Sequence, residues 1–144
     1  MDEFYFFEKN GQITEWPGIE LSIKKKETNE LIGKIFLLDI DPMYEYDKKI
    51  EIILNDIEDY NSYNFLKETT TIFQYSLKIE ENFRNKGYAT LIKKEVENIT
   101  KQYYYSYTAA VTNIKNEYSQ RINRKLGYQI LHRFHGYDFF FKKI

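Results

Sequence analysis

The stretch Leu77-Lys78-Ile79-Glu80-Glu81-Asn82-Phe83-Arg84-Asn85-Lys86-Gly87-Tyr88-Ala89-Thr90-Leu91-Ile92 decides the reading of this chain. An apolar strand runs into a polar turn, and the turn opens a helix whose Ala89, Ile92, Val96 and Ile99 recur at helical spacing. Within it, Arg84-x-x-Gly87-x-Ala89 puts small residues where the backbone must come close to something. The first turn of a helix has unpaired N–H groups and a partial charge of about half an electron, so such a turn is an anion site. Arg84 and Lys86 add positive charge, and a pyrophosphate fits the cradle. Taken alone the signal is weak, because glycine also occurs at strand-to-helix turns for steric reasons.

Working outward, Thr70 to Ile79 has strand composition, and the helix is expected from about Lys86 to Lys101. The aromatic run Tyr103 to Tyr107, continuing to Val111, reads as a strand, and Asn116 to Leu126 as a helix ended by Gly127. Tyr128 to Phe134 and Tyr137 to Lys143 form a closing hairpin around Gly136. Towards the N-terminus, Phe4-Tyr5-Phe6-Phe7 and Ile13-Thr14-Glu15-Trp16 flank Asn10-Gly11, a hairpin signal. A second hairpin, Ile19 to about Lys26 and Leu31 to Ile40, turns at Thr28-Asn29. Ile50, Ile53, Leu54, Ile57 and Tyr60 then line one face of a helix over Lys49 to Tyr60, with an acidic opposite face. The order is four strands, helix, strand, helix, strand, helix, two strands. This indicates an α/β or α+β sheet with helices on its faces, in a single domain over 1–144.

Composition agrees. The 144 residues are 42% hydrophobic and 30% charged with two prolines, which describes a folded domain rather than a disordered chain. The absence of cysteine excludes a disulfide framework, a thiolate zinc site and a cysteine nucleophile, and no metal is expected. No stretch has the length and apolarity of a membrane span, and the acidic start Met1-Asp2-Glu3 is unlike a signal peptide, so a cytoplasmic protein is expected. The net charge of −1 conceals an asymmetry. Residues 1–75 carry 8 Lys/Arg against 16 Asp/Glu, and residues 76–144 carry 13 against 6, together the 21 and 22 of the whole chain. With no overall basic balance, nucleic acid is not an expected partner.

Two motifs read together resemble those of the GNAT superfamily of acyl-CoA-dependent N-acyltransferases. The first is Arg/Gln-x-x-Gly-x-Gly/Ala after a strand, here Arg84-Asn85-Lys86-Gly87-Tyr88-Ala89. The second is an Asn, a small residue three later and a Leu-Gly-aromatic ending, here Asn116, Ser119 and Leu126-Gly127-Tyr128. The resemblance covers roughly residues 70–143. It implies a mixed, mostly antiparallel central sheet with helices on both faces and a splayed pair of central strands. Residues 70–144 would form the cofactor half and 1–69 the acceptor side.

The resemblance also implies acetyl-CoA as cosubstrate. The amides of Asn85, Lys86, Gly87, Tyr88, Ala89 and Thr90, with Arg84 at their start, would hold its pyrophosphate. The backbone of Leu77, Lys78 and Ile79 would pair with the pantetheine arm as an added strand, and Asn116 would contact the same arm. The activity implied is acetyl transfer to a primary amine of a small molecule or a protein. The acidic residues Asp41, Glu45, Asp47, Glu51, Asp56, Glu58 and Asp59 favour a cationic acceptor. A homodimer through the last hairpin is a further implication.

The catalytic groups depart from the pattern. Many members have a Tyr seven residues after the Asn as acid for the leaving thiolate, and here that position is Asn123, whose amide cannot donate a proton near neutral pH. Tyr118 is the substitute phenol. Where some members have a Glu base this chain has Val111, which leaves Glu80, with Glu81 or a water held by Tyr75 or Ser76 behind it. His132 and His135, three apart on a strand, do not form a metal pair, and surface or packing roles suit them best. Loss of the usual acid and base motivates an alternative, a GNAT-fold module that binds CoA, has lost turnover and acts through a protein partner.

Overall fold

In the computed structural model, which describes residues 4–46 and 70–144, seven strands form one sheet in the order β1-β2-β3-β4-β5-β7-β6. They are β1 (Tyr5–Asn10), β2 (Ile19–Lys25), β3 (Leu31–Asp39), β4 (Thr71–Ile79), β5 (Tyr107–Asn113), β6 (Gln129–Phe134) and β7 (Tyr137–Lys143). The helices are α1 (Ile40–Tyr46), α2 (Tyr88–Gln102) and α3 (Glu117–Lys125), with a 3-10 turn at Glu81–Phe83. Every neighbouring pair is antiparallel except β4–β5, which is parallel.

Successive strand residues point to opposite faces, so Leu37 and Leu38, or Ile72 and Phe73, feed two cores. One core joins Leu21, Ile35 and Ile72 to Ala89, Ile92, Val96 and Ile99 of α2 and Ile122 of α3. The other joins Leu38 and Phe73 to Ile40 and Met43 of α1 and to Phe139. Helices thus cover both faces. Each buried aliphatic side chain contributes about 1.5–3 kcal/mol, so the apolar stripe of α2 fixes that helix against the sheet.

Three local expectations change. Ile13 to Trp16 is not a strand: β1 pairs with β2, in the register Phe7↔Ile23, and residues 11–18 form the connection, closed by Glu15 N–H to Gln12 O and Gly18 N–H to Glu15 O. Asn10-Gly11 marked a true turn, but Trp16-Pro17-Gly18 cannot continue a ladder because proline has no N–H. Tyr103 and Tyr104 are not strand either. They close α2, with Tyr104 left-handed at φ 62°, its N–H bonded to Lys101 O and that of Tyr105 to Thr100 O. Ile40 begins α1 instead of ending β3. The expected helix over Lys49–Tyr60 lies outside the described residues.

Candidate functional site

The site begins with a break in the sheet. β4 and β5 pair over Thr71↔Tyr107 to Gln74↔Ala110 and no further. On its other side β4 advances from Tyr75↔Phe36 to Lys78↔Lys34, three residues against two, so it carries one extra residue. Ser76, at φ 55°, is left-handed at that bulge. A bulge bends its strand and sharpens its twist. Beyond Gln74, β4 turns away while β5 stays on β7 as far as Asn113↔Tyr137. The splay opens a cavity of about 240 Å³ whose wall includes Gln74, Ser76, Leu77, Lys93, Thr112 and Asn116.

From the splay a continuous track runs to the N-terminus of α2. Leu77, Asn116 and Ser119 line both the splay cavity and a neighbouring one that also touches Lys78, Ile79, Arg84, Ala89 and Tyr118. Tyr118 then leads into a third hollow with Asn85, Gly87, Thr90, Arg121 and Lys125. There the chain curls through two left-handed residues, Asn85 at φ 61° and Gly87 at φ 88°. The first amide to rejoin the helix is that of Leu91, bonded to Gly87 O at 3.2 Å. Among the described residues the amides of Asn85 to Thr90 have no protein acceptor. A Cβ built on Gly87 meets nothing within 4 Å, so the space before these amides is open. Free amides, a helix N-terminus and an open mouth fit a pyrophosphate.

Of the expected cofactor residues all but Lys86 and Tyr88 line this track; the Lys86 ammonium lies over the Phe83 ring at 5.9 Å, and the Tyr88 ring packs on Tyr5 and Phe83. Two of the lining residues have a further part in the construction of the track. The Arg84 Nε donates to Ile79 O at 2.9 Å, closing the turn between β4 and α2. Asn116 caps α3, its Oδ1 accepting from Ser119 N–H at 3.1 Å. Arg121 and Lys125 were not singled out from sequence. Their spacing of four on α3, with Tyr118 one turn earlier, was the available signal.

The catalytic candidates are not brought together. Glu80 lines a separate hollow with Glu30, Leu31 and Phe83. Tyr118 sits on the track between splay and cradle, 39% exposed and outside the splay cavity. His135 occupies the left-handed turn of the last hairpin, and His132 stacks on Phe134 at 6.4 Å. Among the described residues no group of His, Asp and Glu could hold a metal ion, and no helix is long and apolar enough to cross a membrane.

What the splay does hold is a buried polar chain. Lys93, on α2 and 4% exposed, donates from Nζ to Asn123 Oδ1 at 2.8 Å, and Asn123 Nδ2 donates to Thr112 Oγ1 at 3.2 Å. The Lys93 Nζ lies 5.2 Å from the centroid of the Tyr128 ring. Gln74 Nε2 donates to Thr108 Oγ1 at 2.8 Å and to the Tyr128 hydroxyl at 2.7 Å, while Gln74 Oε1 is buried with no partner. Burial pushes the Lys93 amine down to about 7 and pushes the Tyr128 phenol up. On the α1 face of the sheet Trp16 stacks on Tyr75 at 5.5 Å, and Tyr75 on Phe36 at 5.3 Å, beside the splay.

No family model matches this chain, and neither does any curated protein sequence. Solved structures do. A GNAT-family acetyltransferase from Listeria monocytogenes superposes with a TM-score of 0.67 at 10% identity, over 87% of this chain and 64% of that one. The paia N-acetyltransferase of Thermoplasma acidophilum, solved with coenzyme A, gives 0.62 at 14% identity, over 87% and 60%. NAA60 of Arabidopsis thaliana, solved with a bisubstrate analogue, gives 0.61 at 13% identity, over 94% and 78%. The chain thus spans less than two thirds of the length of the first two. The seven-stranded, mostly antiparallel sheet with its splayed parallel pair is the fold of the GNAT acetyltransferases.

Proposed function

We propose that this protein transfers an acetyl group from acetyl-CoA to a primary amine. The observation that carries the reading is the run of unpartnered amides from Asn85 to Thr90, connected by one track to the splay between β4 and β5. The cradle and the basic pair Arg121 and Lys125 hold the pyrophosphate end. Leu77 to Ile79 and Asn116 border the arm, and the splay receives the thioester.

Direct attack by an amine needs positioning above all, and the track supplies it by fixing one reactant along its length. The acceptor enters from the α1 face, where Trp16, Tyr75 and Phe36 form an aromatic wall that suits a cationic amine. The acidic residues 41–59 belong to the same half of the chain, and only Asp41 among those named falls where side chains are described. A spermidine/spermine N-acetyltransferase of Vibrio cholerae shares the fold, with a TM-score of 0.58 at 9% identity, which is consistent with a cationic acceptor.

CoA at about a hundredfold above Kd should raise stability by about 2.7 kcal/mol, read as an upward shift of Tm. Gly87→Glu fills and charges the cradle and should abolish the shift; a retained shift removes the anion-site assignment. Thiol release from acetyl-CoA with a panel of primary amines tests turnover, and CoA binding without release on any amine would favour the binding-module alternative.

A further inference from the structure

Lys93 has no place in the scheme so far. Lysine is almost never fully buried unless paired, and among the described residues no carboxylate forms an ion pair with it. Packing does not account for it either, because an apolar residue of similar volume costs no desolvation there. Its position is specific: it lines the splay cavity, and its Nζ is held by Asn123 and by the face of Tyr128. Gln74 lines the same cavity with a buried, unpartnered Oε1, so the pocket contains a polar group with nothing in the protein to meet it.

Resting on the acyl-CoA reading above, we propose that Lys93 meets the sulfur of the acyl thioester in the splay and gives it a proton as it leaves. The bond between amine nitrogen and acyl carbon forms, the carbon–sulfur bond breaks, and its electron pair stays on sulfur. Lys93 then delivers a proton from Nζ to that sulfur and becomes a neutral amine. The proton released by the acceptor nitrogen goes to water, and water reprotonates Lys93 before the next turn. Asn123 and Tyr128 are positioning residues. Asn123 fixes Nζ through a bond tied in turn to Thr112 on β5, and Tyr128 is anchored by Gln74.

The surroundings suit an ammonium that gives up its proton near neutrality. Burial holds the Lys93 amine at about 7. Lys142 lies 5.9 Å from the same Tyr128 ring, but its charge is met by Glu97 at 2.5 Å and by the Leu126 carbonyl at 2.6 Å. The Tyr128 phenol stays neutral, pushed up first by burial.

The test compares binding of CoA with that of desulfo-CoA, which has hydrogen in place of the thiol, by calorimetry on wild type, Lys93→Met and Lys93→Arg. Wild type should prefer CoA by about tenfold, the worth of one hydrogen bond to a charged group. Lys93→Met should bind both equally. Lys93→Arg should keep the preference, yet release thiol from acetyl-CoA on the amine panel about a hundredfold more slowly, because guanidinium does not give up a proton in this range. Lys93→Gln serves if the Met variant does not fold. An unchanged preference in Lys93→Met, or no preference in wild type, overturns the proposal and leaves acyl-CoA binding standing. If wild type binds neither ligand, the acyl-CoA reading fails and the proposal with it.

Discussion

A single buried amine sets the balance at the residue scale between what helps chemistry and what helps folding. The folded state holds Lys93 at about 7, below the roughly 10.4 of an exposed lysine. Between those values the unfolded chain binds more protons, so stability rises with pH across that window, and below it the full cost of the buried charge is present. Lys93→Met should therefore be more stable than wild type below pH 7 by about 1–3 kcal/mol and should lose that rise, as read by urea denaturation at a series of pH values. Asp138 shows the opposite sign. Arg133 Nε and Nη2, at 2.6 and 3.0 Å, hold its carboxyl below the usual range, with Gln120 Nε2 adding a bond at 3.0 Å. Its contribution is present above the ordinary aspartate value of about 4 and fades as pH falls through the folded one. Because Arg133 is solvated, Asp138→Asn should cost only about 1–2 kcal/mol at pH 7, and less at pH 3, in the same measurement.

The C-terminal ends of α2 and α3 make a useful contrast at the scale of the element. α3 ends on Gly127 at φ 88°, with Tyr128 N–H bonded to Asn123 O and Gly127 N–H to Arg124 O. α2 ends with the same pair of bonds, but Tyr104 occupies the left-handed position, 94% exposed. A side chain there costs about 1–2 kcal/mol of backbone strain and gains no burial. Tyr104→Gly should raise stability by about 1 kcal/mol, net of the unfolded-state entropy of glycine, and leave the CoA-induced Tm shift unchanged. Gly127 was legible because its residue type states its conformation. Tyr104 was not, since a tyrosine run has the composition of a strand and the hydrogen bonds that close α2 are invisible in it. Ser76 was hidden likewise: serine carries no sign that a bulge will turn it left-handed, and that bulge makes the slot.

At the scale of the whole molecule, basic residues distant in the chain meet at one hollow. The cradle takes Arg121 and Lys125 from α3 and the turn residues from the start of α2, all from the basic half. Raising the ionic strength from about 0.1 to about 1 M shortens the screening length from about 10 to about 3 Å. CoA affinity, measured by calorimetry, should fall roughly tenfold over that range, and the paired change Arg121→Gln with Lys125→Gln should flatten the dependence.

The sequence by itself determined most of the elements over residues 70–144, though not the end of α2 at Tyr103 and Tyr104, and it determined the turn that opens α2, because strand, turn, glycine and first-turn amides are contiguous. It also determined that the chain lacks the usual tyrosine, at Asn123. Only the tertiary structure brings a buried lysine against that asparagine. Lys93 is thirty residues from Asn123, falls inside the apolar stripe of α2 between Ala89 and Val96, and looks like any surface lysine until α2 and α3 pack on the same face. The register of β4 against β3 and β5, set by long-range hydrogen bonds, decided where the sheet opens and so which side chains line the opening. Local pattern fixes a backbone site, whereas a constellation of side chains from different elements exists only after they have packed.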